Sequence, residues 1–171
     1  EPNTRSDGSP RINVTDDAES ELPGLLTELF GESRSQEIQF QLQGAGATAG
    51  SLLEYYVRSQ ITAEEFAQLE GSLTVTNSET LHGLINVNYA SAAVLACVPG
   101  IGSDKAQEVV GARRSQGTGL TSMAWVTDVL DEASVVQAGP YLTSRSYQFT
   151  ADIAAVGHYN RGYRRTTFVL D

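Results

Sequence analysis

The sequence predicts an α+β fold: a helical body carrying a helix-hairpin-helix unit, joined to a small antiparallel sheet that includes a C-terminal β-hairpin. Three observations predict it. Apolar residues recur at helical spacing through the middle of the chain, at Val94, Leu95 and Val98 and again at Ala106, Val109 and Val110. Between those two runs lies Pro99-Gly100-Ile101-Gly102, a turn that two glycines let close tightly. From Tyr147 the period changes to two, with Tyr147, Phe149, Ala151 and Ile153 alternating against Gln148, Thr150 and Asp152.

Taken in order, residues 1–10 hold Pro2, Asn3, Asp7, Gly8 and Pro10 and read as a loop. Ile12-Asn13-Val14 is a short extended piece. Asp16 and Asp17 precede a helix carrying Leu22, Leu25, Leu26 and Leu29, which tolerates Pro23 only near its start and ends at Gly31. A short helix is expected over Glu37 to Leu42, then a flexible loop from Gly44 to Gly50. Ser51 can cap a helix with Leu52, Leu53, Tyr55, Tyr56 and Val57. Thr62-Ala63-Glu64-Glu65 is a capping box, opening a helix that buries Phe66 and Leu69 and stops at Gly71. Leu73 to Thr76 reads as a strand.

Leu84 to Asn88 is extended and leads into a helix whose inward face is Ser91, Val94, Leu95 and Val98. After the glycine turn comes a second helix with Arg113 and Arg114 at its C-terminal end, where cations suit the dipole. Gln116 to Gly119 is a loop, and Thr121 or Ser122 caps a helix with Trp125, Val126, Val129 and Leu130. Strands from Tyr147 and from Arg164 to Leu170, joined by a turn at Gly157 to Gly162, form the closing hairpin. A lone hairpin is marginal, so it is expected to pack on the body or join a sheet with Leu73–Thr76, the residues near Ile12, or a segment preceding Glu1.

The chain also looks repeated. Ile12-Asn13-Val14 recurs as Ile85-Asn86-Val87, each followed by a helical segment and a Pro-Gly pair, Pro23-Gly24 and Pro99-Gly100. We therefore expect a helical domain over 11–144, with repeat units 11–72 and 83–144, and a hairpin over 145–171.

Composition narrows the function. The 171 residues carry 11 Lys plus Arg against 21 Asp plus Glu, a net charge of −10, which argues against a phosphate-binding surface as the main business. That charge belongs to residues 1–80, whereas the hairpin is basic through Arg145, Arg161, Arg164 and Arg165. One cysteine, Cys97, excludes an internal disulfide and a Cys-based zinc site, and reads as a buried, inert thiol. His82 and His158 lie in expected loops with no ligand spacing around them. Asp16, Asp17 and Glu19 are the densest acidic group and read as first-turn acids of a helix; no stretch matches an EF-hand. No phosphate-binding loop, GxSxG or GxGxxG occurs, and no run of 18 apolar residues.

Gly83-Leu84-Ile85-Asn86-Val87-Asn88-Tyr89-Ala90, then Val94-Leu95, Pro99-Gly100-Ile101-Gly102, and Ala106 to Arg113 resemble the signature of general secretion pathway protein K, the large minor pseudopilin of type II secretion systems. The resemblance covers residues 83–171 well and 11–82 more weakly, with Tyr89 where the family usually has Thr. It implies a structural role for Ile85, Asn86, Val87, Asn88 and Ala90 and for Pro99, Gly100, Ile101 and Gly102. It implies no enzymatic activity and no cofactor, although some relatives hold calcium. It implies a place at the tip of a periplasmic pseudopilus, with the other minor pseudopilins as partners, possible contact with exported proteins, and no nucleic acid. The family's anchor in the inner membrane is an N-terminal hydrophobic helix absent from this chain, and the opening at Glu1 without Met leads us to expect a natural start further upstream.

Two alternatives stay open. The same hairpin occurs in competence DNA receptors, where hairpin amides and the start of the next helix hold a phosphate. Here Ser103-Asp104-Lys105 offers one favourable charge and one opposing it. The other is an enzyme of unrecognised class.

Overall fold

A computed structural model describes residues 1–15, 21–44, 49–117 and 120–170. The elements in chain order are β1 (Ile12–Asn13), α1 (Leu22–Phe30), α2 (Glu32–Gly44), α3 (Leu52–Ser59), α4 (Ala63–Leu69), β2 (Leu73–Thr74), β3 (Ile85–Asn86), α5 (Ala92–Leu95), α6 (Gly102–Ser115), α7 (Glu132–Ala138), β4 (Leu142–Thr143), β5 (Phe149–Val156) and β6 (Tyr163–Leu170), with 3-10 turns at Ala124–Asp128, Gly139–Tyr141 and His158–Asn160. The fold is mixed α+β, and its antiparallel sheet is the C-terminal hairpin itself.

Two short parallel ladders organise the body, and they are built alike. β1 pairs with β2 through Ile12 opposite Leu73 and Asn13 opposite Thr74; β3 pairs with β4 through Ile85 opposite Leu142 and Asn86 opposite Thr143. In each, the next Val amide donates to the paired Thr carbonyl, Val14 to Thr74 at 2.9 Å and Val87 to Thr143 at 3.0 Å. In each, the Asn side-chain oxygen accepts from the amide two residues on, from Thr15 at 3.0 Å and Asn88 at 2.9 Å. Parallel strands need a long crossover, and here each crossover is a set of helices ending in one capped helix. Thr62 caps α4 with a complete capping box, and Asp131 caps α7 through the Ser134 amide.

Helical starts and stops follow local chemistry. The Ser51 hydroxyl accepts from the Glu54 amide at 3.1 Å at the start of α3. Gly31, at φ 82°, turns the chain from α1 into α2. Leu26, Ile38, Leu53, Phe66, Leu73, Leu95, Val109 and Val126 are fully buried in the shared core. α3 lies against α7, and the backbones come close enough that a Cβ at Gly139 would meet Ser51 Cβ at 2.9 Å.

Several expectations are corrected. The helix expected over Glu37–Leu42 is the longer α2, which begins directly after Gly31. Pro23 and Gly24 lie in the first turns of α1, where proline has no amide to lose, so this Pro-Gly is not a counterpart of Pro99-Gly100. Ser91 is the cap of α5, accepting from the Val94 amide at 3.4 Å, not a member of its inward face. The helix expected from Ser122 to Leu130 is a short 3-10 turn at Ala124–Asp128, and a further helix that the sequence does not predict, α7, follows it. Cys97 is exposed, its thiol turned to the Ala93 carbonyl: helical spacing carries Leu95 and Val98 inward and leaves position 97 outside. Among the described residues β5 and β6 pair with each other and with no third strand, while Ile12 and Leu73, the expected partners, pair with one another. Asp16, Asp17 and Glu19 lie outside the described residues.

Candidate functional site

The glycine turn lies between α5 and α6. Ile101 is buried between the helices, while Pro99 stands exposed. Gly100 and Gly102 have φ of +80° and +67°, backbone that other residues reach only with strain. Their surroundings differ. A Cβ at Gly100 would lie 2.7 Å from Gln137 Cβ and 3.2 Å from the Ser134 carbonyl, so the turn packs against α7, whereas a Cβ at Gly102 would meet nothing within 4 Å. Lys105, one turn into α6, is held by the same helix. Its ammonium donates to Asp131 Oδ2 and to Ser134 Oγ, each at 2.5 Å. The Lys105 ammonium, with help from the Ser134 amide, draws the Asp131 carboxyl down to about 2.

The residues just before the turn form a structural network. Asn86 donates to Ser146 Oγ at 2.9 Å. Val87 and Asn88 are buried. Asn88 Oδ1 accepts from the Trp125 indole at 2.9 Å, and its amide nitrogen donates to the Leu120 and Ser144 carbonyls at 3.4 and 3.3 Å. Arg113 reaches back from α6 to the carbonyls of Val87 and Ala90, at 3.0 and 2.8 Å. So Ile85, Asn86, Val87, Asn88 and Ala90 close the second ladder and tie it to α6 through Arg113 and to the 3-10 turn through Trp125, and Arg113 is spent inside the fold. Tyr89, between them, points to solvent.

Two arrangements were not visible in the sequence. Glu70, at the end of α4, is buried, and its carboxylate accepts from Ser122 Oγ at 2.6 Å, from the Met123 amide at 3.2 Å and from Ser144 Oγ. Burial pushes its pKa up, against the pull of those donors and of nearby Arg145. It ties the first half of the body to the second. Arg11 and Glu1 form a buried ion pair at 2.7 Å. Glu1 also accepts from Thr143 Oγ1 at 3.0 Å, and Arg11 donates to the Tyr147 hydroxyl at 3.2 Å, which pins the N-terminal segment to the base of the hairpin. Isolated charged side chains paired over that distance of chain carry no local sequence signal.

The C-terminal hairpin stands out from the core. Its register puts Phe149 opposite Leu170, Ala151 opposite Phe168 and Ile153 opposite Thr166, so these side chains share one face. Phe149, Ile153, Phe168 and Leu170 on that face are all exposed. The other face carries Asp152, which accepts from Arg165 Nε at 2.9 and 3.0 Å. Among the described residues Arg145, Arg161 and Arg164 form no ion pair. His82 and His158 are exposed. No group of three His, Cys, Asp or Glu side chains is placed to hold a metal among the described residues, and none of their helices is long and apolar enough to cross a membrane.

Residues 82–142 match a helix-hairpin-helix motif. The match begins just before β3 and ends at the first residue of β4, so the motif takes in the whole second ladder crossover with its glycine turn. No curated protein and no solved structure matches the chain.

Proposed function

We propose that the chain is a structural and interaction component of the type II secretion pseudopilus tip, a minor pseudopilin that assists protein export and has no catalytic role. On this reading it is the periplasmic domain of an inner-membrane-anchored protein. Its partners are the smaller minor pseudopilins, with exported proteins as further contacts. The observation that carries the reading is the C-terminal hairpin, two strands that have no other strand partner among the described residues and carry a contiguous apolar face open to solvent. Two strands are marginal alone, and an exposed apolar face of this kind marks a contact with another protein surface. The signature resemblance over residues 83–113 supports the same reading.

A helix-hairpin-helix motif is also compatible with DNA binding. Against that use stand three observations: the turn is covered by α7 at Gly100, Lys105 is committed to Asp131 and Ser134, and Arg113 is committed to Val87 and Ala90. A phosphate approaching α6 would meet Asp104 and the net charge of −10 with little left to offset them.

Two measurements test the proposal. Co-expression with the smaller minor pseudopilins is expected to give a complex that survives size exclusion, and a chain that elutes alone in their presence contradicts it. Titration with duplex DNA at low salt is expected to show no saturable binding. Tight binding that weakens steeply with salt moves the assignment to a DNA-binding module.

A further inference from the structure

A groove of about 660 Å³ lies where the hairpin leaves the body, with Asn86, Tyr89, Leu120, Thr121, Arg145 and Phe149 in its lining. Tyr89 is 74% exposed and Phe149 58%, Tyr89 directly after the buried Asn88 and Phe149 at the start of the exposed β5. Leu120 gives the groove an apolar wall and Thr121 a small polar one. Arg145 is its one cation. The guanidinium lies over Gly71, where a Cβ would collide with it, so a small residue makes its seat. Its nearest acid, Glu70, is buried and held by Ser122, Met123 and Ser144, and no carboxylate of the described residues lies within ion-pair distance of Arg145. A seated arginine whose nearest described carboxylate, Glu70, is buried and already held by three donors, beside two uncovered aromatic rings, is the complement of an apolar side chain next to a carboxylate.

We propose that this groove binds an extended segment of a partner protein that presents a large apolar side chain immediately beside an Asp, a Glu or a chain-terminal carboxylate. The apolar group would enter between Tyr89 and Phe149, and the carboxylate would pair with Arg145, with the Asn86 side chain at the rim. Aromatic rings with an arginine also suit single-stranded nucleic acid, but one cation in a chain of net charge −10 favours a single carboxylate over a run of phosphates. The proposal rests on the groove alone and does not require the pseudopilus reading.

The test uses the full chain, isotope-labelled for amide NMR, and two probes, acetyl-Gly-Phe-Asp-Gly-amide and its Asn counterpart. The Asp peptide is expected to shift the amides of Tyr89, Leu120, Arg145 and Phe149, and to bind about fivefold more tightly than the Asn peptide. Arg145→Gln is expected to erase that difference, and Tyr89→Ala to weaken both peptides about fivefold with the melting temperature unchanged. Both side chains are exposed, so neither variant threatens the fold. The proposal is overturned by absence of shifts at on the order of 10 mM peptide. It is equally overturned by equal affinity for the two peptides, or by an oligo-dT strand that shifts the same amides at lower concentration than the Asp peptide.

Discussion

Lys105 donates to Asp131 at 2.5 Å, across the gap between the helix that follows the glycine turn and the helix that covers it. This contact takes up the cation that a phosphate-binding hairpin would need, and uses it to fasten α6 to α7. It depresses the Asp131 carboxyl to about 2. A depressed carboxyl contributes stability that is complete above its ordinary value and is lost as pH falls through the lowered one. Lys105→Met is expected to return the Asp131 titration toward about 4. Carbon-detected carboxyl NMR checks it; a carboxyl that still titrates near the lower value means that Lys105 is not the cause.

The two glycines of the turn are expected to respond unequally. Gly102→Ala meets only the backbone preference at φ +67° and should cost about 1 kcal/mol. Gly100→Ala adds the collision with Gln137 and Ser134, and should cost clearly more, about 2–4 kcal/mol. Urea unfolding of the two variants decides it. Equal losses would mean that α7 does not press on the turn.

Much of the fold could be read locally, and the exceptions have a common cause. Ser51, the Thr62 capping box, the Pro99–Gly102 turn and the alternation after Tyr147 each declare themselves within a few residues. The parallel ladders do not, because each is two residues long and its partners, Ile12 with Leu73 and Ile85 with Leu142, are separated by a whole crossover. The Ile-Asn-Val recurrence pointed to the two ladder starts, but the Pro-Gly pairing attached to it misled, since Pro23 serves a helix start and Gly31 makes the turn. α7 has a weak local signature, since its buried apolar positions, Val135 and Ala138, are few and run straight into Gly139-Pro140. Glu70 carries no local mark of its role, since its donors Ser122, Met123 and Ser144 arrive from the second half of the chain.

Tyr55 offers a stabilising substitution. Its ring is buried in α3, and its hydroxyl has no hydrogen-bond partner among the described residues; burial alone pushes its pKa up. Removing a buried, unpaired hydroxyl while keeping the ring should raise stability by about 1 kcal/mol. Tyr55→Phe is therefore expected to shift the urea midpoint upward, and a downward shift would show that the hydroxyl has a partner in solution.

Glu70 should separate charge from contact. Glu70→Ala leaves the buried Met123 amide without an acceptor, at a cost of about 1–3 kcal/mol. Glu70→Gln keeps an acceptor and should cost less. Because burial raises the Glu70 pKa, its contribution is most favourable below the ordinary carboxyl range and declines as pH rises through the raised value. The stability advantage of the native chain over Glu70→Gln is thus expected to shrink as pH rises above the ordinary carboxyl range. An advantage that grows as pH rises would mean that burial does not raise the Glu70 carboxyl.

On the proposed function the exposed hairpin face, not the glycine turn, is the working surface. The direct measurement is co-purification with the smaller minor pseudopilins, comparing the native chain with Phe168→Glu. Phe168 is exposed on the apolar face, so the variant should melt with the native chain and yet lose the complex. A variant that is retained as fully as the native chain, or a native chain that binds none of these partners, would contradict the claim.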